Sequence, residues 1–189
     1  MITKETKEQY RTLTDMALFR DIVSITDHLY LSSGAAACNE PNIHSRGIKC
    51  IINATTNLPD STIPDVEHVR VAVNDVPHSN LSAHFDAVCD KIEDVRKQGG
   101  STLVHCVGGI SRSSALCLAY LMKCKNMSLE EAHSHVKARR PFIRPNIGFW
   151  RQLIEYERTL YNKNSVKIIQ SNVGPIPSVY EKETQGMMW

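Results

Sequence analysis

The chain of 189 residues has six cysteines, at positions 38, 50, 89, 106, 117 and 124, yet no Cys-x2-Cys pair. That spacing argues against a zinc or disulfide framework. No apolar core follows Met1, because Lys4, Glu5, Lys7 and Glu8 interrupt it. A secretory signal is therefore not expected, and the thiols read as free in a reducing compartment. The cytoplasm is the expected location, with the nucleus and organelle association left open. The longest apolar run, Ala115 to Met122, falls far short of the roughly 18 residues of a membrane span. A large excess of charge of one sign is missing too. A net charge of +2 lacks the general basic field of a nucleic-acid binder. There is no nucleotide loop of the Gly-x4-Gly-Lys-Ser/Thr type, no His-Glu-x-x-His metal motif and no internal repeat. Hydrophobic content of 42% and charged content of 22% suit one soluble globular domain with a sizeable core.

What the chain does have is a stretch from His105 to Ser114, His-Cys-Val-Gly-Gly-Ile-Ser-Arg-Ser-Ser. Leu103 and Val104 precede it, and the apolar run from Ala115 follows. The pattern predicts a strand, a tight loop and a buried helix, with Cys106 at the first junction and Arg112 at the second. Such a loop makes a phosphate cradle from residues Val107, Gly108, Gly109, Ile110 and Ser111. Gly108 and Gly109 are expected to take positive φ and curl the N–H groups inward. The helix starting near Ser111 points free N–H groups and its positive dipole end into the same bowl. Arg112 can fork two phosphate oxygens. The same field favours the Cys106 thiolate, whose pKa could fall from about 8.5 into the range of roughly 3.5–7.5. A thiolate so placed is a nucleophile aimed at phosphorus. Ser113 could hydrogen-bond the sulfur and ease its departure, or be a plain helix-start serine. The alternative for the whole stretch is a buried free cysteine beside an ordinary helix, with Arg112 in solvent.

The surrounding pattern predicts a single α/β domain, a central, mostly parallel twisted sheet flanked by helices. Residues 1–20 read as a peripheral lead-in, 21–161 as the catalytic domain and 162–189 as a C-terminal extension. Strands are expected within Asp21 to Leu31, Ile48 to Ala54, Val66 to Val73 and Ser101 to His105. A short helix over Ala35 to Arg46 would be broken by Pro41. Leu81, Phe85, Val88, Ile92 and Val95 lie on one face of a helix ending near Lys97. Ser128 with Glu131 forms a capping box for another helix, and Pro145-Asn146 opens the last. The extension reads as a tail on the surface, with Val166 to Ile169 and Trp189 as a conceivable docking segment.

Phosphoryl transfer also needs a proton for the leaving oxygen, and Asp75 is the candidate. It follows the strand ending at Val73, and loops at strand C-terminal ends gather on one edge of a parallel sheet. Asp60, Asp65 and Asp86 are weaker alternatives, and a turn-forming Asp before Pro77 is the bland reading. Lys137, Arg139, Arg140 and Arg144 read as cations at a helix C-terminus, or as a positive lip for acidic, phosphorylated segments. No cofactor or metal is called for, because Arg112, the backbone donors and the helix end supply positive charge.

His105-Cys106, five residues, then Arg112-Ser113 resembles the signature of cysteine-dependent protein phosphatases. Ala119-Tyr120-Leu121-Met122 resembles the dual-specificity branch. Over roughly residues 20–161 the chain is similar to the small atypical dual-specificity phosphatases. The resemblance implies hydrolysis of phosphotyrosine and of phosphoserine or phosphothreonine through a phosphocysteine. It agrees with a general acid on the Asp75 loop. It also implies that His105 supports the loop, that Asn146 braces the loops around the cradle as well as capping its helix, and that Gln152 matches a position of doubtful role. The partners implied are phosphorylated proteins, with signalling kinases as one open class. A phosphoprotein-binding module with little turnover is the competing class. Sulfur transfer, phosphoinositide and RNA 5′-phosphate chemistry fit less well, given the Arg112-Ser113 ending, the absence of Lys from Val107 to Ser111 and the modest charge.

Overall fold

Residues 21–184 are described by the computed structural model of this chain. Its central sheet has five strands: β1 (Val23–Thr26), β2 (Leu29–Ser33), β3 (Ile48–Asn53), β4 (Glu67–Arg70) and β5 (Ser101–Cys106). Their spatial order is β1-β2-β5-β3-β4. All neighbours run parallel except the β1–β2 hairpin. The innermost strand, β5, is buried along its whole length although Ser101, Thr102 and His105 are polar. Alternation sends Val104 into the larger core and Leu103 into the smaller one on the opposite face, and it splits Ile52 from Ile51 in the same way. The larger core lies under α2 (Phe85–Lys97), α3 (Arg112–Lys125), α4 (Leu129–Arg139) and α5 (Ile147–Tyr161). The smaller one is closed by α1 (Glu40–Ser45) and the turn Ala36–Cys38.

The topology places the ends of two strands together. Ser33 lies opposite Cys106 in the β2–β5 register. The chains leaving β2, β4 and β5 therefore emerge at one edge of the sheet, where a parallel sheet places its ligands. Helix α3 explains the long apolar run that follows. It is buried continuously from Arg112 to Met122, so it needs no polar face. The capping box of α4 forms as expected, with Ser128 Oγ accepting from the Glu131 N–H and the Glu131 carboxylate accepting from the Ser128 N–H.

Three expectations need correction. The helix expected over 35–46 is two pieces, and Pro41 sits in the first turn of α1 instead of breaking it, a position where its missing N–H costs nothing. The strand expected to reach Val73 ends at Arg70. Beyond it the Val71 N–H reaches the Asn53 carbonyl, and then the Val73 N–H folds back to the Val71 carbonyl, lifting the chain off the sheet into the Asp75 loop. The extension is not a loose tail. Residues 168–184 form the hairpin β6 (Ile168–Ser171) and β7 (Gly174–Pro177), a turn and the short helix α6 (Glu181–Thr184). Tyr180 is buried edge-on to Trp150 at 5.6 Å and to His133 at 5.4 Å, and Val166 packs into the same core. Val166 to Ile169 thus covers the protein's own surface. Trp189 and residues 1–20 lie outside the described residues.

Candidate active site

Cys106 ends β5 with 2% of its surface exposed. Its Sγ accepts from the Gly109 N–H at 3.3 Å and from the Ser113 hydroxyl at 3.1 Å. Burial by itself would raise the thiol pKa. Hydrogen bonds from the Ser113 side chain, the Ser113 N–H and the Ile110 N–H outweigh it, with the Arg112 charge adding to them, and the net shift is downward. The sequence expectation of positive φ holds for Gly109, at 66°, and not for Gly108. A Cβ on Gly109 would also meet the Ser32 carbonyl oxygen at 2.5 Å. One left-handed residue suffices to turn the loop, because the outward carbonyls are held elsewhere.

Arg112 is in the first turn of α3 and is 7% exposed, not in solvent. Its Nη1 donates to the Val73 carbonyl at 3.1 Å, and its Nε lies 3.6 Å from Asp75 Oδ2. That buried Nε makes no hydrogen bond among the described residues, so a bound anion has a donor ready for it. Asp75 is brought to the rim of the bowl across the sheet edge, about a third exposed. Its Oδ1 accepts from the Ser111 hydroxyl at 2.6 Å and from the Asn146 side-chain amide at 2.8 Å. Asn146 also caps α5 through the Gly148 and Phe149 N–H groups, so both roles weighed for it coexist. Asp60 instead pairs with Arg70 at 2.9 Å, Asp86 with Lys123 at 2.9 Å, and Asp65 occupies a turn at φ 59°.

His105 is buried, its Nδ1 lies 3.2 Å from the Cys106 carbonyl oxygen, and burial lowers its pKa, which keeps the ring neutral at pH 7. Gln152 accepts from the Leu81 and Ser82 N–H groups and donates to the Ser79 carbonyl. It therefore anchors the far end of the Asp75 loop to α5.

The four cations expected as one cluster separate. Arg139 is exposed. Lys137 and Arg144 pair with Glu183 at 3.4 Å each. Arg140 is fully buried behind the phosphate loop, donating from Nε to the Gly109 carbonyl at 2.9 Å and from Nη2 to the Gly108 carbonyl at 3.0 Å. Nothing in a run of basic residues at a helix end marks one of them as interior. Gly148 was also missed. A Cβ there would sit 1.8 Å from the Pro77 carbonyl oxygen, so the Asp75 loop lies directly on the start of α5. A glycine in the first turn of a helix, where its low propensity has a cost, was the readable signal.

A buried thiol of lowered pKa, inward N–H groups, a forked cation and a rim carboxylate are the parts needed to displace an alcohol from a phosphate monoester. Comparison with known proteins agrees. Residues 29–159 match the family described as dual specificity phosphatase, catalytic domain. Human dual specificity protein phosphatase 14 is 51% identical over 167 residues, covering 88% of this chain and 84% of its own. Mouse dual specificity protein phosphatase 18 is 47% identical over 169 residues, covering 89% and 90%. The crystal structure of human DUSP28 matches with a TM-score of 0.73 at 38% identity, over 75% of this chain and 97% of that one.

Proposed function

The chain belongs to the dual-specificity phosphatase family, and we propose that it hydrolyses phosphotyrosine and phosphoserine or phosphothreonine in proteins through a phosphocysteine on Cys106. The observation that carries this reading is the environment of the sulfur: two hydrogen bonds onto Sγ and a net downward pKa shift despite burial. In the first step the thiolate attacks phosphorus in line. The S–P bond forms, the P–O bond to the side chain breaks, and Asp75 in its acid form protonates the departing oxygen. Arg112 and the N–H groups of Val107 to Ser111 hold the three equatorial oxygens as charge shifts. In the second step water attacks the phosphocysteine, Asp75 takes its proton, and inorganic phosphate leaves. The Ser113 hydroxyl, already 3.1 Å from Sγ, stabilises the departing thiolate.

His105 and Asn146 have supporting roles, fixing the Cys106 carbonyl and the Asp75 carboxylate. Retention of Cys106, Arg112 and Asp75 together favours turnover over phosphoprotein binding alone. We assign the catalytic domain to 21–161, with 162–189 as an extension. The partners are phosphorylated proteins, with signalling kinases the class to try first. Six free cysteines favour a reducing location, cytoplasm or nucleus. Among the described residues no helix is long and apolar enough to cross a membrane. Purified protein should hydrolyse an aryl phosphate in the presence of a chelator, and Cys106→Ser should abolish turnover while still capturing phosphorylated substrate. An absolute metal requirement, or turnover surviving in Cys106→Ser, would reject the assignment.

A further inference from the structure

The phosphate loop is held from outside at each of four successive carbonyls. The Val107 carbonyl accepts from the Gly34 N–H at 3.1 Å. The Gly108 and Gly109 carbonyls accept from Arg140 at 3.0 and 2.9 Å. The Ile110 carbonyl accepts from the Arg144 N–H at 2.8 Å and from the Ser114 hydroxyl. In a trans peptide the C=O and the next N–H point opposite ways, so a carbonyl fixed outward fixes the following N–H inward. Among these holders Arg140 is the side chain that spans two adjacent peptide planes.

We propose that Arg140 is a positioning residue for the reaction: its guanidinium grips Gly108 and Gly109 from behind and so aims the N–H groups of Gly109 and Ile110 at Cys106 and at the phosphate oxygens. This rests on the reading of Cys106 as the nucleophile. The inward Gly109 N–H is seen in place, 3.3 Å from Sγ. The guanidinium is itself fixed, with its central carbon 4.5 Å from the centre of the Phe142 ring and Nη1 3.5 Å from the Asp21 carbonyl. A Cβ on Gly109 would come within 2.8 Å of Nη2, so glycine is what permits the close approach. An arginine at 0% exposure carries a heavy desolvation cost unless its donors are well used. Here burial pulls its pKa down to about 10, which leaves it charged at neutral pH. Its charge reinforces the Cys106 thiolate, while its fork sets where the donors point. Lysine could supply the first and not the second.

The test uses the full chain with Arg140→Met and Arg140→Lys. Three quantities are followed: the pH midpoint of Cys106 alkylation by iodoacetate, competitive inhibition by inorganic phosphate, and kcat on an aryl phosphate. Near-UV circular dichroism checks the fold. Arg140→Met should raise the alkylation midpoint by about one pH unit or more. It should weaken phosphate inhibition and lower kcat on the order of 100-fold. Arg140→Lys should fall between Met and wild type in both phosphate inhibition and kcat. A folded Arg140→Met with wild-type values overturns the proposal, as does Arg140→Lys restoring wild-type values in full, since the charge alone would then suffice. If Arg140→Met does not fold, the Lys variant decides by the same criterion. An ordinary alkylation midpoint in the wild type is a different failure, that of the thiolate reading itself.

Discussion

Asp75 shares its carboxylate among three groups, and each contact fixes part of its geometry. Ser111 and Asn146 hold Oδ1, and Arg112 approaches Oδ2. A carboxyl so placed matters most when the leaving oxygen is a poor one. Asp75→Asn is expected to lower kcat/KM by about 10²- to 10⁴-fold for an alkyl phosphate. It should do so much less for an aryl phosphate whose phenol leaves as the anion. Parallel kcat/KM measurements on the two substrates, which report the steps up to phosphocysteine formation and leave out the shared second step, check this, and equal losses would remove Asp75 as proton donor. At this scale Cys106, Arg112 and Asp75 were legible because their chemistry is tied to position: strand end, helix start, strand-end loop. Arg140 was not. Whether a cation at the end of a helix points outward or under a loop depends on where the loop folds, and adjacent residues do not record that.

The helices and strands near the site act as rigid holders for loops, and their contacts set the tolerance for change. Gly148 in α5 touches the Asp75 loop so closely that any Cβ must displace Pro77. Gly148→Ala should therefore depress kcat while leaving the pH midpoint of Cys106 alkylation unchanged, because the sulfur's own donors lie in another loop. The two measurements on one protein separate acid-loop displacement from damage to the cradle; a shifted midpoint would contradict the assignment. Most of these elements could be read from periodicity and caps. Helix α2 shows its apolar face, α4 its capping box and β5 its Leu103-Val104 pair before the Cys106 loop. The end of β4 was misjudged because the alternation of valines continues through Val71 and Val73, which are buried under the helices after sheet pairing has stopped.

At the scale of the whole molecule, Val166, Ile176 and Tyr180 of the segment 166–184 belong to the core, with consequences for stability. Tyr180 fills the space beside Trp150 and His133, so Tyr180→Ala should cost on the order of 3–5 kcal/mol, measured by denaturant unfolding. A change within a few tenths of a kcal/mol would mean that the segment does not pack as described. His133 in the same cluster is held neutral: burial, helped by Lys137 and opposed by Glu183, lowers its pKa from 6.5 to about 4. The folded state thus resists the proton that the unfolded chain accepts. The His133 contribution to stability should fall as pH drops below 6.5 and be fully lost near 4, a loss of about 3 kcal/mol. Melting curves across that range should flatten in His133→Gln. The packing was hidden in the sequence because Val166, Ile176 and Tyr180 fall in short apolar pieces at no regular spacing, separated by Gly, Pro and polar residues. No periodic stripe announces that they share one core.

The most direct measurement is the site of covalent phosphate during turnover. Wild-type protein mixed with excess phosphorylated substrate and quenched in acid within one turnover should carry one phosphoryl group on the peptide containing Cys106, and none in Cys106→Ser. Phosphate recovered on another residue, or continued hydrolysis by Cys106→Ser with no phosphorylated intermediate, would contradict the account.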